Sequence, residues 1–212
     1  MFSPLVLANL IIGAAFAQSG ISLDTNSWSV IGEGKVPLTS NGTSLFFSFP
    51  VDSVEQSTIN YLRTRDQLAP LTGAKSLNAK FNIATTGNPV FNYKFEPANT
   101  CPSPAKVRLY FARTGWETGG EFYRWWANPI AYRLAAGSAA LTVPLDPSQW
   151  SSVYGKLGNA DASTLTGFAA AKQNVGEIGF TFGGGCSFGH GVNVTGGTAE
   201  FILTNYSILR LD

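Results

Sequence analysis

Residues 116–126 hold the densest group of side chains with recognisable chemistry. Trp116, Phe122, Tyr123, Trp125 and Trp126 fall within eleven positions, with Arg124 among them. An aromatic plane packs against any ligand that offers a flat apolar face, and a nearby guanidinium or amide can hydrogen-bond the polar rim of that ligand. A sugar ring has that shape, with C–H groups on its face and hydroxyls at its edge. Strand alternation places Tyr123 and Trp125 on one side and Phe122, Arg124 and Trp126 on the other. Trp116 lies beside Gly115 and ahead of Gly119-Gly120, so it belongs to a loop. Arg108 and Tyr110, on the polar face of a neighbouring strand, complete the candidate binding set: Trp116, Tyr123, Arg124, Trp125, Arg108 and Tyr110.

Other chemistries find less support. Gly183–Gly191 is glycine-rich, but it lacks the Lys-Ser/Thr ending of a phosphate loop. Its His190 is the chain's one histidine, with no second histidine to share a metal, and it reads as structural. Glycoside hydrolysis needs two carboxylates across one cleft. Glu117, Glu121, Asp146, Glu177 and Glu200 are candidates, and Glu177 and Glu200 lie on strands that alternation could turn to one surface. No E-x-D-x-x-E pattern is present. A hydrolase is therefore the alternative to non-catalytic binding, and a structural or adhesive wall protein is a third reading.

The elements that would position these residues are strands. Val107, Leu109 and Phe111 alternate with Lys106, Arg108 and Tyr110; Ile178, Phe180 and Phe182 alternate with Glu177, Gly179 and Thr181. Further strands are expected at 28–31, 44–49, 59–62 and 140–145, and from Thr198 onward. A hairpin is expected from 77–83 and 90–95 around Gly87-Asn88-Pro89, and a turn at Gly196-Gly197. Helix signals occur only between residues 146 and 174. Asp146-Pro147 opens one short segment. Asp161 or Ser163 caps another, with Leu165, Phe168, Ala169 and Lys172 as its stripe and Asn174 as its stop. The 23 glycines and 13% aromatics suit sheets joined by turns. The class is all-β, an antiparallel β-sandwich or jelly roll with one or two short helices.

The apolar run Leu5–Phe16 ends in Ala15-Phe16-Ala17, the pattern of a cleaved signal peptide over residues 1–17. One β domain is expected over 18–212, secreted, monomeric and without a membrane anchor. Fourteen Lys and Arg balance thirteen Asp and Glu with no basic stripe, which argues against nucleic acid. Sequons at Asn41, Asn193 and Asn205 are candidate glycosylation sites. The two cysteines, Cys101 and Cys186, sit in turn-rich segments and are expected to form a disulfide in an oxidising compartment.

The order VRLYF, YRWW, LTVPLDPSQW, VGEIGFTFGGG and AEFILTNYSI across residues 105–208 resembles secreted jelly-roll domains of the galactose-binding-like, carbohydrate-binding-module type. The N-terminal half is similar in general strand pattern only. The resemblance implies a polysaccharide or glycan partner, bound by exposed aromatics on a sheet face or end loop. It implies no cofactor, though some such modules carry a structural calcium ion.

Overall fold

The structure is a computed structural model that describes residues 16–51, 57–66, 68–93, 103–185 and 188–211. Its elements in chain order are β1 (Phe16–Gly20), β2 (Trp28–Glu33), β3 (Thr39–Ser40), β4 (Leu45–Ser48), β5 (Thr58–Thr64), β6 (Ala74–Tyr93), β7 (Lys106–Arg113), β8 (Arg124–Ala127), β9 (Tyr132–Arg133), β10 (Gly137–Pro144), β11 (Trp150–Ser151), α1 (Ala162–Gln173), β12 (Val175–Gly183) and β13 (Val192–Leu211). Every pairing between these strands is antiparallel.

Two layers follow from the strand order β10-β6-β13-β5-β12-β7-β8-β11. The first contains β10, β6 and β13, with β4 and β1 on the other edge of β13. The second runs β2-β5-β12-β7-β8-β11. They are joined where Val192 of β13 registers with Ile59 of β5. Aromatic rings fill the space between them. Phe180 packs edge-on against Phe81 and Phe201, and Phe182 against Phe47, Phe49 and Phe201. Each ring pair adds about 0.5–1.5 kcal/mol beyond the area it removes from water. This is the antiparallel β-sandwich expected from the alternation.

Two local expectations are corrected. Gly87-Asn88-Pro89 does not turn a hairpin, and Gly196-Gly197 does not turn the chain. Both lie inside long strands, β6 and β13, which stay paired from Val192↔Tyr93 to Arg210↔Ala74. The register shifts between Thr195 and Gly197, so Pro89 sits at a bulge where no ladder donor is needed. Gly87 at φ 70° and Gly196 at φ 74° bend the two strands together. A Cβ on Gly197 would come within 2.3 Å of the Thr86 carbonyl oxygen, so glycine permits the close approach.

α1 starts at the expected cap. The Asp161 carboxylate accepts from the Thr164 amide at 2.8 Å, and the Thr164 hydroxyl accepts from the Asp161 amide at 3.0 Å. Its buried face is Thr164, Phe168 and Ala171, while Leu165 is exposed. The stripe therefore differs from the Leu165–Phe168–Ala169 series. Phe168 docks against Phe111 and Trp125, and Gly167 lies flat on Phe122, which sets the helix rotation. The other expected helix is a single 3-10 turn, Pro147–Gln149.

Asn193 is buried in β13, so that sequon is corrected: a glycan there has no room in the folded sheet. Asn41 is exposed in the turn before β4, and Asn205 is partly covered. Peptide mapping of the protein made in a glycosylating host should find Asn41 occupied and Asn193 bare. A glycan on Asn193 would contradict the β13 register.

Cys101 and Cys186 lie outside the described residues. Their flanks meet: the Gly185 amide donates to the Ser103 hydroxyl at 2.5 Å, and Lys106 registers with Gly183. A Cys101–Cys186 bond is expected to stabilise the fold by about 4 kcal/mol on the chain-entropy account. Alkylation of the unfolded, unreduced protein should find no free thiol, and labelling of both cysteines would rule the bond out.

Candidate functional site

The outer face of the second sheet carries the chemistry. On β12, Ile178, Phe180 and Phe182 point into the core, which turns Glu177, Gly179 and Thr181 outward. On β7 the same alternation turns Arg108, Tyr110 and Ala112 outward. Register then builds rows across the strands. Tyr61, Thr181 and Arg108 lie side by side, and Arg63, Gly179, Tyr110 and Trp126 form the next row. Gly179 has no side chain, and a Cβ there would sit 2.1 Å from the Leu62 carbonyl oxygen.

Glu177 anchors one end of this face. It is 1% exposed. Its Oε2 accepts from Arg63 Nη1 at 2.7 Å and Arg65 Nε at 2.9 Å, and its Oε1 accepts from the Tyr110 hydroxyl at 2.9 Å. Burial first, and the Glu177 charge next, raise the Tyr110 phenol well above its usual range, so it donates as a neutral group. Arg65 also pairs with Glu117. A hydrogen bond from its own backbone amide, then Arg65, hold the Glu117 carboxyl below its usual range. Both carboxylates are thus tied to guanidiniums, which suits structure better than proton transfer to a leaving group. Glu200 is on the outer face of the other sheet, registered with Ser48 and Ala84, so the expected sharing of a surface with Glu177 is corrected.

Beside this anchor is a cleft of about 650 Å³. Tyr61, Arg124, Trp126 and Asn128 form its floor and one wall, the turn Val153-Tyr154-Gly155 forms another, and Gly185, Phe188, Gly189 and His190 close it. Tyr154 is 75% exposed, whereas Trp126 presents only an edge at 4%. Trp116 stands between this cleft and a smaller hollow of about 260 Å³ that holds Arg65, Glu117 and Glu177. A hollow of about 690 Å³ near Asn88 and Arg133 is larger, but Arg133 is its one ionisable residue and Phe91 its one ring.

The expected residues divide between this face and the core. Arg124 lies in the cleft wall, its guanidinium 4.7 Å from the Trp116 ring and 5.6 Å from the Trp126 ring. Trp116 is half-buried beside it. Arg108 and Tyr110 are on the same face but buried. Tyr123 packs under Arg113, at 4.8 Å, and against Gly120. Trp125 is corrected: it is fully buried, stacked on Phe122 and edge-on to Phe168, with its indole N–H donating to the Phe122 carbonyl at 2.9 Å. Phe122 precedes β8 and turns inward, so of the two rings expected on Arg124's side of the strand Trp126 alone lies beside it. Tyr61, Tyr154, Phe188 and Asn128 lie outside the aromatic cluster of residues 116–126, and Trp126, part of that cluster, lies outside the expected binding set. The signal for Trp126 was present, because it shares Arg124's side of the strand.

No group of three or more His, Cys, Asp or Glu side chains forms among the described residues. Asp24 and Asp66 meet through the Ser27 hydroxyl, and Asp24 already accepts from Ser22 and the Asn26 amide.

The structure assigns Glu177 a supporting role. Glu177→Ala would leave Arg63 without its counter-charge and Tyr110 without its acceptor, and should cost about 3–5 kcal/mol in urea unfolding. Glu117→Ala, at a half-exposed pair, should cost less than about 1 kcal/mol. Equal effects would contradict this division.

No protein-family model matches the sequence, and no curated protein matches it. Among solved structures, the chain is similar to the family 11 carbohydrate-binding module of the cellulosomal cellulase Lic26A-Cel5E of Clostridium thermocellum, at 11% identity and a TM-score of 0.49, over 92% of this chain and 95% of that one. A family 11 module from the same organism, in complex with a β-1,3-1,4-mixed-linked tetrasaccharide, is similar at 9% identity and a TM-score of 0.47, over 90% and 94%. The xyloglucanase domain of NopAA, a type three effector from Sinorhizobium fredii, in complex with cellobiose, is similar at 16% identity and a TM-score of 0.33, over 89% and 96%.

Proposed function

We propose that the protein is a secreted β-sandwich that binds a polysaccharide or glycan without catalysis, in the cleft on the outer face of the second sheet. The observation that carries this reading is the composition of that cleft. An exposed ring, Tyr154, shares it with Phe188, Trp126 and Tyr61, and with the polar groups of Arg124, Asn128 and His190. Sugar recognition needs aromatic planes for C–H faces and fixed donors and acceptors for hydroxyls, and the cleft supplies both. Release from the cell follows from the apolar segment ending at Ala17. The proposed cleavage leaves Gln18, Ser19 and Gly20 to hold the β1 pairing with β13.

A glycan array, followed by pull-down on insoluble polysaccharides, identifies the ligand. Tyr154→Ala should then weaken binding by about 1–3 kcal/mol, the scale found for planar rings stacked on aromatics, with an unchanged melting temperature. Trp125→Ala should do the reverse, lowering stability by about 3–5 kcal/mol while any folded fraction keeps its affinity. Hydrolysis of a soluble β-glucan would favour the glycosidase alternative, and neither binding nor hydrolysis would favour a wall-structural role.

A further inference from the structure

The charges around the cleft are one-sided, and the inference drawn from them rests on the glycan-binding reading. On this face Glu177 and Glu117 balance Arg63 and Arg65, and Glu121 lies 3.4 Å from Lys156. Arg113, in the neighbouring hollow, is stacked on Tyr123, and two guanidiniums remain at the cleft. Arg124 is in the cleft wall, and Arg108 is buried beneath Phe188, 4.1 Å from that ring. Among the described residues no carboxylate lines the cleft, and neither arginine has an acid within ion-pair distance.

The unsatisfied groups point the same way. Arg63 Nε, Arg108 Nε, and the indole N–H groups of Trp116 and Trp126 are buried with no acceptor among the described residues. All four are donors; Thr181 Oγ and Ser151 Oγ, the latter registered with Trp126, are the unsatisfied hydroxyls on this face, and each can donate as well as accept. Burial pulls the Arg108 guanidinium down to about 10, so it still carries its charge at neutral pH. A cation set in low dielectric without a counter-charge is costly, and its field is felt most strongly where water is partly excluded. Arg124 spends the faces of its guanidinium on the Trp116 and Trp126 rings. Its guanidinium also donates a hydrogen bond to the Tyr61 hydroxyl, and the remaining in-plane N–H groups suit a planar, charged acceptor. A neutral sugar supplies hydroxyl acceptors but no charge; a uronic acid supplies both, and a sulfated sugar offers a similar anion on a non-planar group.

We propose that the cleft takes an acidic glycan, with a sugar carboxylate set against Arg124. The test uses the full chain and four probes: polygalacturonate, the same polymer with its carboxyl groups reduced to alcohols, a sulfated galactan and a neutral galactan. Affinity electrophoresis or calorimetry should show polygalacturonate bound most tightly, with affinity falling as NaCl rises from about 50 to 500 mM. Carboxyl reduction should lower affinity about tenfold or more, the scale of one charge-assisted hydrogen bond. Arg124→Gln should give a similar loss on the acidic polymer, with Arg124→Lys intermediate and the melting temperature retained. Lys80→Gln, which removes one positive charge from the outer face of the first sheet, should change nothing. Equal loss from Lys80→Gln would reduce the effect to net charge and overturn the inference. Tighter binding of the sulfated galactan would also overturn the carboxylate assignment. Equal affinity for the reduced polymer would overturn the acidic specificity while leaving glycan binding intact. Binding to none of the four, with none on a glycan array, would instead remove the glycan reading itself.

Discussion

A carboxylate taken out of water has to be answered in full, and Glu177 is answered by two guanidiniums and a phenol. Those partners come from β5, the residue just beyond β5, and β7, the two neighbours of β12. The interaction therefore fixes the order and register of three strands at once, in addition to their backbone ladders. It also gives the buried Tyr110 hydroxyl its acceptor. Isolated, such a charge would be destabilising; saturated, it specifies one arrangement of the sheet.

That arrangement decides what the rest of the face can be. With Glu177, Arg63 and Arg65 committed, the cleft beyond them is built from aromatic edges and from arginines whose charge is left over. Gly179, in the middle strand, keeps the floor low enough for Tyr110 and its neighbours to lie side by side. Phe188 and Tyr154 then add apolar walls from loops, the usual division between a rigid sheet and the segments that contact ligand.

The layers were legible in the sequence because period-2 patterns are strong where one face is dry. Val107-Leu109-Phe111 and Ile178-Phe180-Phe182 both read directly as core strands. The glycine and proline punctuation read less well. Gly87-Asn88-Pro89 and Gly196-Gly197 look like turns locally, but each is matched by the other across a bulge, and only the pairing reveals that. In YRWW, alternation separates Arg124 and Trp126 from Trp125 but does not say which side is wet. The answer comes from α1, whose Phe168 covers Trp125 from a position more than forty residues away. Tyr61 and Phe188 join the cleft for a similar reason: sheet order brings them there, and nothing near them in the chain announces it.

β13 pairs with β1, β4, β5 and β6, so residues 192–211 are the common partner of strands made much earlier. Until they are synthesised, the edges of β4 and β6 that they will cover have no partner, and the first layer cannot close. Assembly is thus governed by contacts of long sequence separation, which makes folding slow and exposes apolar strand edges while it proceeds. A chain released without this segment would keep its second sheet's pattern but display β6 as an open template for other chains. Synthesis of residues 192–211 is, for this topology, the event that lets the first layer close.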